Sequence, residues 1–231
     1  MNVEAREALT GVHDERAETI ERLGPYLFIQ KKSGHRLTGD SVSLVDFIPP
    51  LPPGGDGPVI DLGTGSGAIL LLIARKTAAR RIVGVEIDRD MAAVAKRNVE
   101  ANGLASRITI VLRDWRELMD IYPEGSFSAV VSNPPYLKAG TGRISPVKER
   151  AKARSEAFGG LAALIKVSAH LAGAAGGIFY VFPCSRYDEM SLELKKAGLE
   201  AGRVRIVHAV PERPPKVFLI EARRRNIPQS L

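Results

Sequence analysis

The sequence predicts an α/β fold built on a doubly wound, mostly parallel sheet, and three observations carry that prediction. Short apolar runs bounded by Gly or Pro alternate with helix-forming stretches along most of the chain. The runs read as strands buried on both faces, which is the pattern of a parallel sheet. The last two runs are joined only by "PERPP", too short for a crossover helix, so they pair antiparallel if they are neighbours.

Taken in order, "PVIDLG" is the first buried strand and "AILLLIARKTA" the helix after it. "RIVGVEID" is the second strand. "DRDMAAVAKRNVEANGL" has an Asp near its start and Asn-Gly after its end, and reads as a helix. "ITIVLRD" and "FSAVVSNPPY" are the third and fourth strands. "EAFGGLAALIKVSAHLA" is a long helix, "GGIFYVFP" the fifth strand, and "SRYDEMSLELKKAG" a capped helix ending at Gly198. "RVRIVHAV" and "KVFLIEARRR" complete seven strands, the last antiparallel. Residues 1–57 read as an N-terminal extension with a strand and one or two helices, set apart by the Pro/Gly-rich "PPLPPGGDGP". Residues 58–225 are expected to form a single domain on which the extension packs, and 226–231 a tail. The segment from Leu137 to Ser155 is long, basic and aperiodic, and reads as an active-site loop.

Composition excludes several classes. Apolar residues are 45% and charged residues 26%, an ordinary globular balance. No run approaches the roughly 18 to 20 apolar residues that span a bilayer. The N-terminus is charged with both signs and lacks a signal core, so a cytoplasmic location is expected. Cys184 is the only cysteine, and His13, His35, His170 and His208 are scattered, so no metal site is expected. Lys plus Arg total 33 against 26 Asp plus Glu, a net +7 that suits a polyanion without requiring one. The sequence leaves room for a homo-oligomer.

Two stretches carry chemistry. Asp61-Leu62-Gly63-Thr64-Gly65-Ser66-Gly67 follows a strand and opens a helix. Its glycines let the backbone turn sharply and approach a ligand, although a packing turn uses the same residues. The spacing departs from the dinucleotide pattern G-x-G-x-x-G. Glu86 closes the next strand and Asp114 the one after, so three acids lie along one rim, where open α/β sheets bind ligands. Acids at strand ends also serve as helix caps. The second stretch, Asn133-Pro134-Pro135-Tyr136, ends the fourth strand with two fixed φ angles, an amide and an aromatic ring.

Over about Pro58 to Arg224 this combination resembles the class I S-adenosylmethionine-dependent methyltransferases, whose sheet is Rossmann-like. The resemblance implies that Asp61 and the loop of Gly63, Thr64, Gly65 and Gly67 pack against the amino-acid part of S-adenosylmethionine. Glu86, followed by Ile87, would accept both ribose hydroxyls, and Asp114 the adenine amine, with Trp115 beside the ring. N-P-P-Y marks members that methylate a planar nitrogen, either the exocyclic amine of adenine or a glutamine amide. The Asn133 side-chain oxygen and the Pro134 carbonyl would accept its two N–H groups and aim its lone pair at the methyl carbon. Asn133 thereby also lies beside the cofactor, and Tyr136 offers a stacking face. The cofactor supplies the electrophile, so neither metal nor nucleophilic side chain is required.

The loop after N-P-P-Y carries Lys138, Arg143, Lys148, Arg150, Lys152 and Arg154, the footprint expected for RNA phosphates, although a solvated charged loop looks the same. Arg223, Arg224 and Arg225 form a second basic cluster or a soluble terminus. The N-terminal part, with Ile29-Gln30, the turn Leu37 to Asp40 and the helix from Ser41 to Ile48, is similar to a bacterial family. That family methylates the exocyclic amine of an adenine beside the anticodon of a valine tRNA. Ser155 stands where that family carries histidine, and Arg36-Leu37 where an aromatic residue precedes the turn. Asp40 either caps the helix or lines the cofactor pocket. The expectation is therefore an RNA adenine-N6 methyltransferase acting on tRNA. The alternatives are a release-factor glutamine N5-methyltransferase, an rRNA base N-methyltransferase, or a non-catalytic RNA-binding module.

Overall fold

The computed structural model describes residues 17–32, 37–50, 57–134, 160–208 and 214–225. The chain forms two compact units, Met1–Trp115 and Arg116–Leu231.

In the first unit, β1 (Glu18–Leu23) and β2 (Tyr26–Lys31) make an antiparallel hairpin closed by the pair Leu23 and Tyr26. Gly24 opens its two-residue turn at φ 63°, a conformation that glycine takes without strain. The sequence shows only β2 plainly. β1 has no apolar run, and its buried Glu18 is matched by a bidentate ion pair to Arg97 at 2.5 and 2.9 Å. Helix α1 (Gly39–Phe47) buries Ser41, Leu44, Val45 and Phe47. Its last carbonyls are satisfied by Lys76, whose ammonium donates to Val45, Asp46 and Ile48 oxygens at 2.7, 2.9 and 2.6 Å.

β3 (Val59–Leu62), α2 (Ala68–Lys76), β4 (Ile82–Glu86), α3 (Arg89–Ala101) and β5 (Ile108–Leu112) follow. β3 pairs parallel with β4, and β4 parallel with β5. Every residue of β3 is buried, which explains why it is apolar at every position but Asp61. α2 is buried from Ala68 to Ala74, so it too lacks a polar stripe. Asp88 caps α3, accepting from the Asp90 and Met91 N–H groups at 3.0 and 3.3 Å.

In the second unit, β6 (Ala129–Ser132) pairs parallel with β7 (Gly177–Pro183). α4 (Gly160–Ala172) lies between them in sequence. α5 (Tyr187–Lys196) ends as expected, with Gly198 at φ 70° and its N–H bonded to the Lys195 carbonyl at 3.1 Å. Its start differs from expectation. A 3-10 turn over Cys184–Arg186 precedes it, so the cap position falls on Arg186, which makes no side-chain cap. Arg186 pairs instead with Glu189 at 2.6 and 2.8 Å.

β8 (Leu199–Val207) and β9 (Val217–Arg224) are antiparallel, and β9 is antiparallel to β7. The other seven described strands run in the order β5-β4-β3 within the first unit and β6-β7-β9-β8 within the second. The tail arginines are built into the structure. Arg223 and Arg203 clamp the buried Glu221, Arg224 pairs with Glu124, and Arg225 lies 3.8 Å from Glu200. They are members of ion pairs rather than a loose basic terminus. No helix among the described residues is long and apolar enough to cross a membrane.

Candidate functional site

The first unit gathers most of the expected cofactor residues at the C-terminal ends of three adjacent strands. Leaving β3, the chain passes through Gly63, Gly65 and Gly67 at φ 79°, 58° and 84°. All three lie in the left-handed region, so the Gly-x-Gly-x-Gly spacing answers a backbone requirement at every glycine. Gly67 is also the N-cap of α2, and a β-carbon there would stand 3.3 Å from that of Ala95 on α3.

Neighbouring backbone pins the loop. The N–H groups of Gly63 and Thr64 both donate to the Val85 carbonyl at 2.9 Å. The register sets Asp61 opposite Gly84. Gly84 leaves room for Thr64 and Leu70, which a β-carbon would approach to 2.9 and 2.5 Å. Glu86 binds the loop through its carboxylate. One oxygen accepts the Gly65 N–H at 2.8 Å and the other the Asp88 N–H at 2.9 Å. Each oxygen keeps a lone pair for a further donor.

Asp61 is fully buried, and neither of its oxygens has a hydrogen-bond partner among the described residues. Burial pushes its carboxyl up to about 7; the nearby Thr64 hydroxyl, which stops short of hydrogen-bond geometry, offsets part of that shift and the Glu86 charge adds to it. An unpartnered buried carboxylate is costly unless a donor or cation meets it. Ile87, just after Glu86, leaves 42% of its surface exposed. Asp114 and Trp115 follow β5 half-buried, and Trp115 begins a 3-10 turn. An anionic rim with exposed apolar side chains and a buried acid suits a cationic ligand carrying hydroxyls and a planar ring.

The alternative that these acids are helix caps does not hold for Asp61 or Glu86. The cap of α2 is Gly67 and that of α3 is Asp88. Asp40 is no cap either: Thr38 holds that position without a side-chain bond, and Asp40 lies in the first turn of α1. Asn98, which no motif marks, also reaches the loop, donating from its side chain to the Ser66 carbonyl at 2.9 Å.

In the second unit, Asn133 and Pro134 follow β6 and are half-buried. Pro135 and Tyr136 lie outside the described residues, as do Lys138, Arg143, Lys148, Arg150, Lys152 and Arg154.

A family model described as a methyltransferase domain matches residues 59–145. A tRNA1(Val) (adenine(37)-N6)-methyltransferase of Porphyromonas gingivalis is 31% identical over 166 residues, covering 71% of this chain and 64% of that protein. The chain therefore spans slightly less than two thirds of that relative's length. The enzyme of the same description from Phocaeicola vulgatus is 31% identical over 163 residues, covering 70% of this chain and 67% of the relative. A release factor glutamine methyltransferase of Agrobacterium fabrum is 37% identical over 84 residues, 36% of this chain and 28% of that protein. Among solved structures, P. horikoshii TYW2 in complex with MeSAdo superposes with a TM-score of 0.62 at 14% identity. It covers 92% of this chain and 73% of that one, a likeness of fold alone.

Proposed function

The chain belongs to the family of the tRNA1(Val) (adenine(37)-N6)-methyltransferases, and from that premise we propose that it methylates the exocyclic N6 of an adenine in RNA, with tRNA near the anticodon as substrate. S-adenosylmethionine supplies the methyl group, activated on a sulfonium cation.

The observation that carries this reading is the buried, unpartnered Asp61 beneath three left-handed glycines, with Glu86 beside them. A buried carboxylate without a donor suits a ligand that brings positive charge. Glu86 has lone pairs for two ribose hydroxyls. Ile87 and Trp115 offer apolar contact to adenine, and Asp114 an acceptor for its amine. Asp40 is assigned to the same cofactor's edge. At the reacting nitrogen, Asn133 and the Pro134 carbonyl accept the two N–H groups, Pro135 stiffens the backbone, and Tyr136 stacks on the base. Delocalisation makes an aromatic amine a poor nucleophile, so fixing its two protons is the chief service the chain provides. A tRNA substrate goes with a cytoplasmic location.

The test is methyl transfer from labelled S-adenosylmethionine to total tRNA lacking its modifications, with release factor as a parallel substrate and nucleoside analysis of the product. N6-methyladenosine in tRNA is expected. Label in the release factor alone would move the chain to the glutamine reaction, and label only in ribosomal RNA would change the RNA.

The basic loop has its own prediction. Replacing Lys148, Arg150 and Lys152 together by alanine is expected to weaken tRNA binding. The slope of log affinity against log salt should fall by about 2 to 3 if all three residues meet phosphates. Filter binding between about 50 and 200 mM salt measures it. An unchanged slope would take those residues out of the RNA site.

A further inference from the structure

We propose that Asn98 is a positioning residue for the methyl donor, through which the N-terminal hairpin holds the glycine loop in its binding conformation. The hairpin is then a working part of the cofactor site and not an appended segment.

The Asn98 side chain is fully buried and uses both of its N–H donors and its oxygen, in three bonds to two residues. Its oxygen accepts the Ile29 N–H at 2.7 Å. Its amide donates to the Ile29 carbonyl at 2.8 Å and to the Ser66 carbonyl at 2.9 Å. The Ile29 contacts complete the free edge of β2 as another strand would, and the third bond ends in the loop itself. Ser66 lies between Gly65, held by Glu86 at 2.8 Å, and Gly67, the cap of α2. One rigid amide therefore links the edge of the hairpin to the segment that approaches the cofactor.

Asn102, four residues further on at the C-cap of α3, supplies an internal control. It grips Leu27 in the same two-bond manner, N–H to Oδ1 at 2.9 Å and Nδ2 to carbonyl at 2.7 Å. Its remaining bond goes to the Asn98 carbonyl at 2.7 Å and not to the loop. The two residues share the task of docking the hairpin. That docking is reinforced by packing of Ile29 against Val94 and by the pairs Arg97–Glu18 and Lys31–Asp90. Asn98 alone continues to the loop. Any movement of β2 that respects its two bonds to Asn98 is passed to Ser66, because a buried amide held by three bonds cannot reorient without abandoning one of them.

The inference rests on the assignment of the loop to the cofactor. The experiment compares Asn98→Ala and Asn102→Ala in the full chain, with S-adenosylhomocysteine as probe. The sole tryptophan, Trp115, is the fluorescence reporter and thermal unfolding the control for stability. Asn98→Ala is expected to weaken binding tenfold or more and raise the KM for the methyl donor, with kcat within about twofold. Asn102→Ala, with a comparable loss of melting temperature, is expected to bind within about twofold of wild type. Equal weakening by both variants, or normal binding by Asn98→Ala, would overturn the proposal.

Hydrogen exchange on the wild type needs no variant to fold. Bound S-adenosylhomocysteine should protect the Ile29 amide more than the Leu27 amide, as reciprocity between linked sites requires. Equal effects on both amides would also overturn it. Failure of the wild type to bind the probe at all would instead strike the cofactor assignment.

Discussion

Asn133→Ala is expected to lower kcat by a hundredfold or more while leaving the affinity for S-adenosylhomocysteine within about threefold of wild type. Asn133 follows β6 half-buried, and Pro134 comes directly after it. On the proposed reading, an amide oxygen that accepts one N–H of the target amine lies beside the methyl donor but contributes little to holding it. Its loss should therefore fall on the chemical step. Single-turnover methylation of tRNA measures the first quantity and Trp115 fluorescence the second. Loss of both together would show that the side chain supports the fold and not the reaction.

Asp61→Asn carries the second large effect, and it is expected to act in opposite directions on stability and on binding. Asp61 is buried without a partner, and its carboxyl is pushed up to about 7. The folded chain then holds a proton on Asp61 at pH values where the unfolded chain has already released it. With an acid whose pKa is raised on folding, stability is greatest below the ordinary carboxylate range near 4. It falls as pH rises through about 7 and is level above that. The loss is on the order of 4 kcal/mol at most. An asparagine side chain in its place would be neutral throughout, so the Asp61→Asn variant should melt higher than wild type at pH 8 and show a flatter profile between about pH 4 and 7.

Cofactor binding should go the other way. A cation favours ionised Asp61, so the affinity of wild type for S-adenosylmethionine should rise with pH up to about 7 and then level off. The asparagine variant should bind roughly tenfold to a hundredfold more weakly, the worth of a charge-assisted contact, with no such pH dependence. Thermal unfolding across pH and a fluorescence titration together check both halves. A variant that is no more stable at pH 8 and binds normally would remove Asp61 from the cofactor site.

The succession of strands and helices was legible in the sequence because it rests on local requirements. A strand buried on both faces is mostly apolar, as β3 is apart from Asp61, and a backbone at positive φ favours glycine, as at Gly63, Gly65 and Gly67. The acids at the strand ends follow from the same topology. They could be named as ligand residues, but Asp61 and Glu86 could not be separated from helix caps until Gly67 and Asp88 were seen in those positions.

What only the tertiary structure decided depends on partners far apart in the chain. β1 has no apolar run to announce it and exists because β2 pairs with it and Arg97 neutralises its buried Glu18. The tail arginines looked like a free basic cluster until Glu221, Glu124 and Glu200 came opposite them. Asn98 meets Ile29 across 69 residues of sequence, and an asparagine on the face of a helix carries no sign of which backbone it will complete. The unpartnered state of Asp61 is likewise a property of the space around it. Composition and spacing record what the backbone needs locally, whereas burial and the pairing of polar groups are fixed only when distant segments pack.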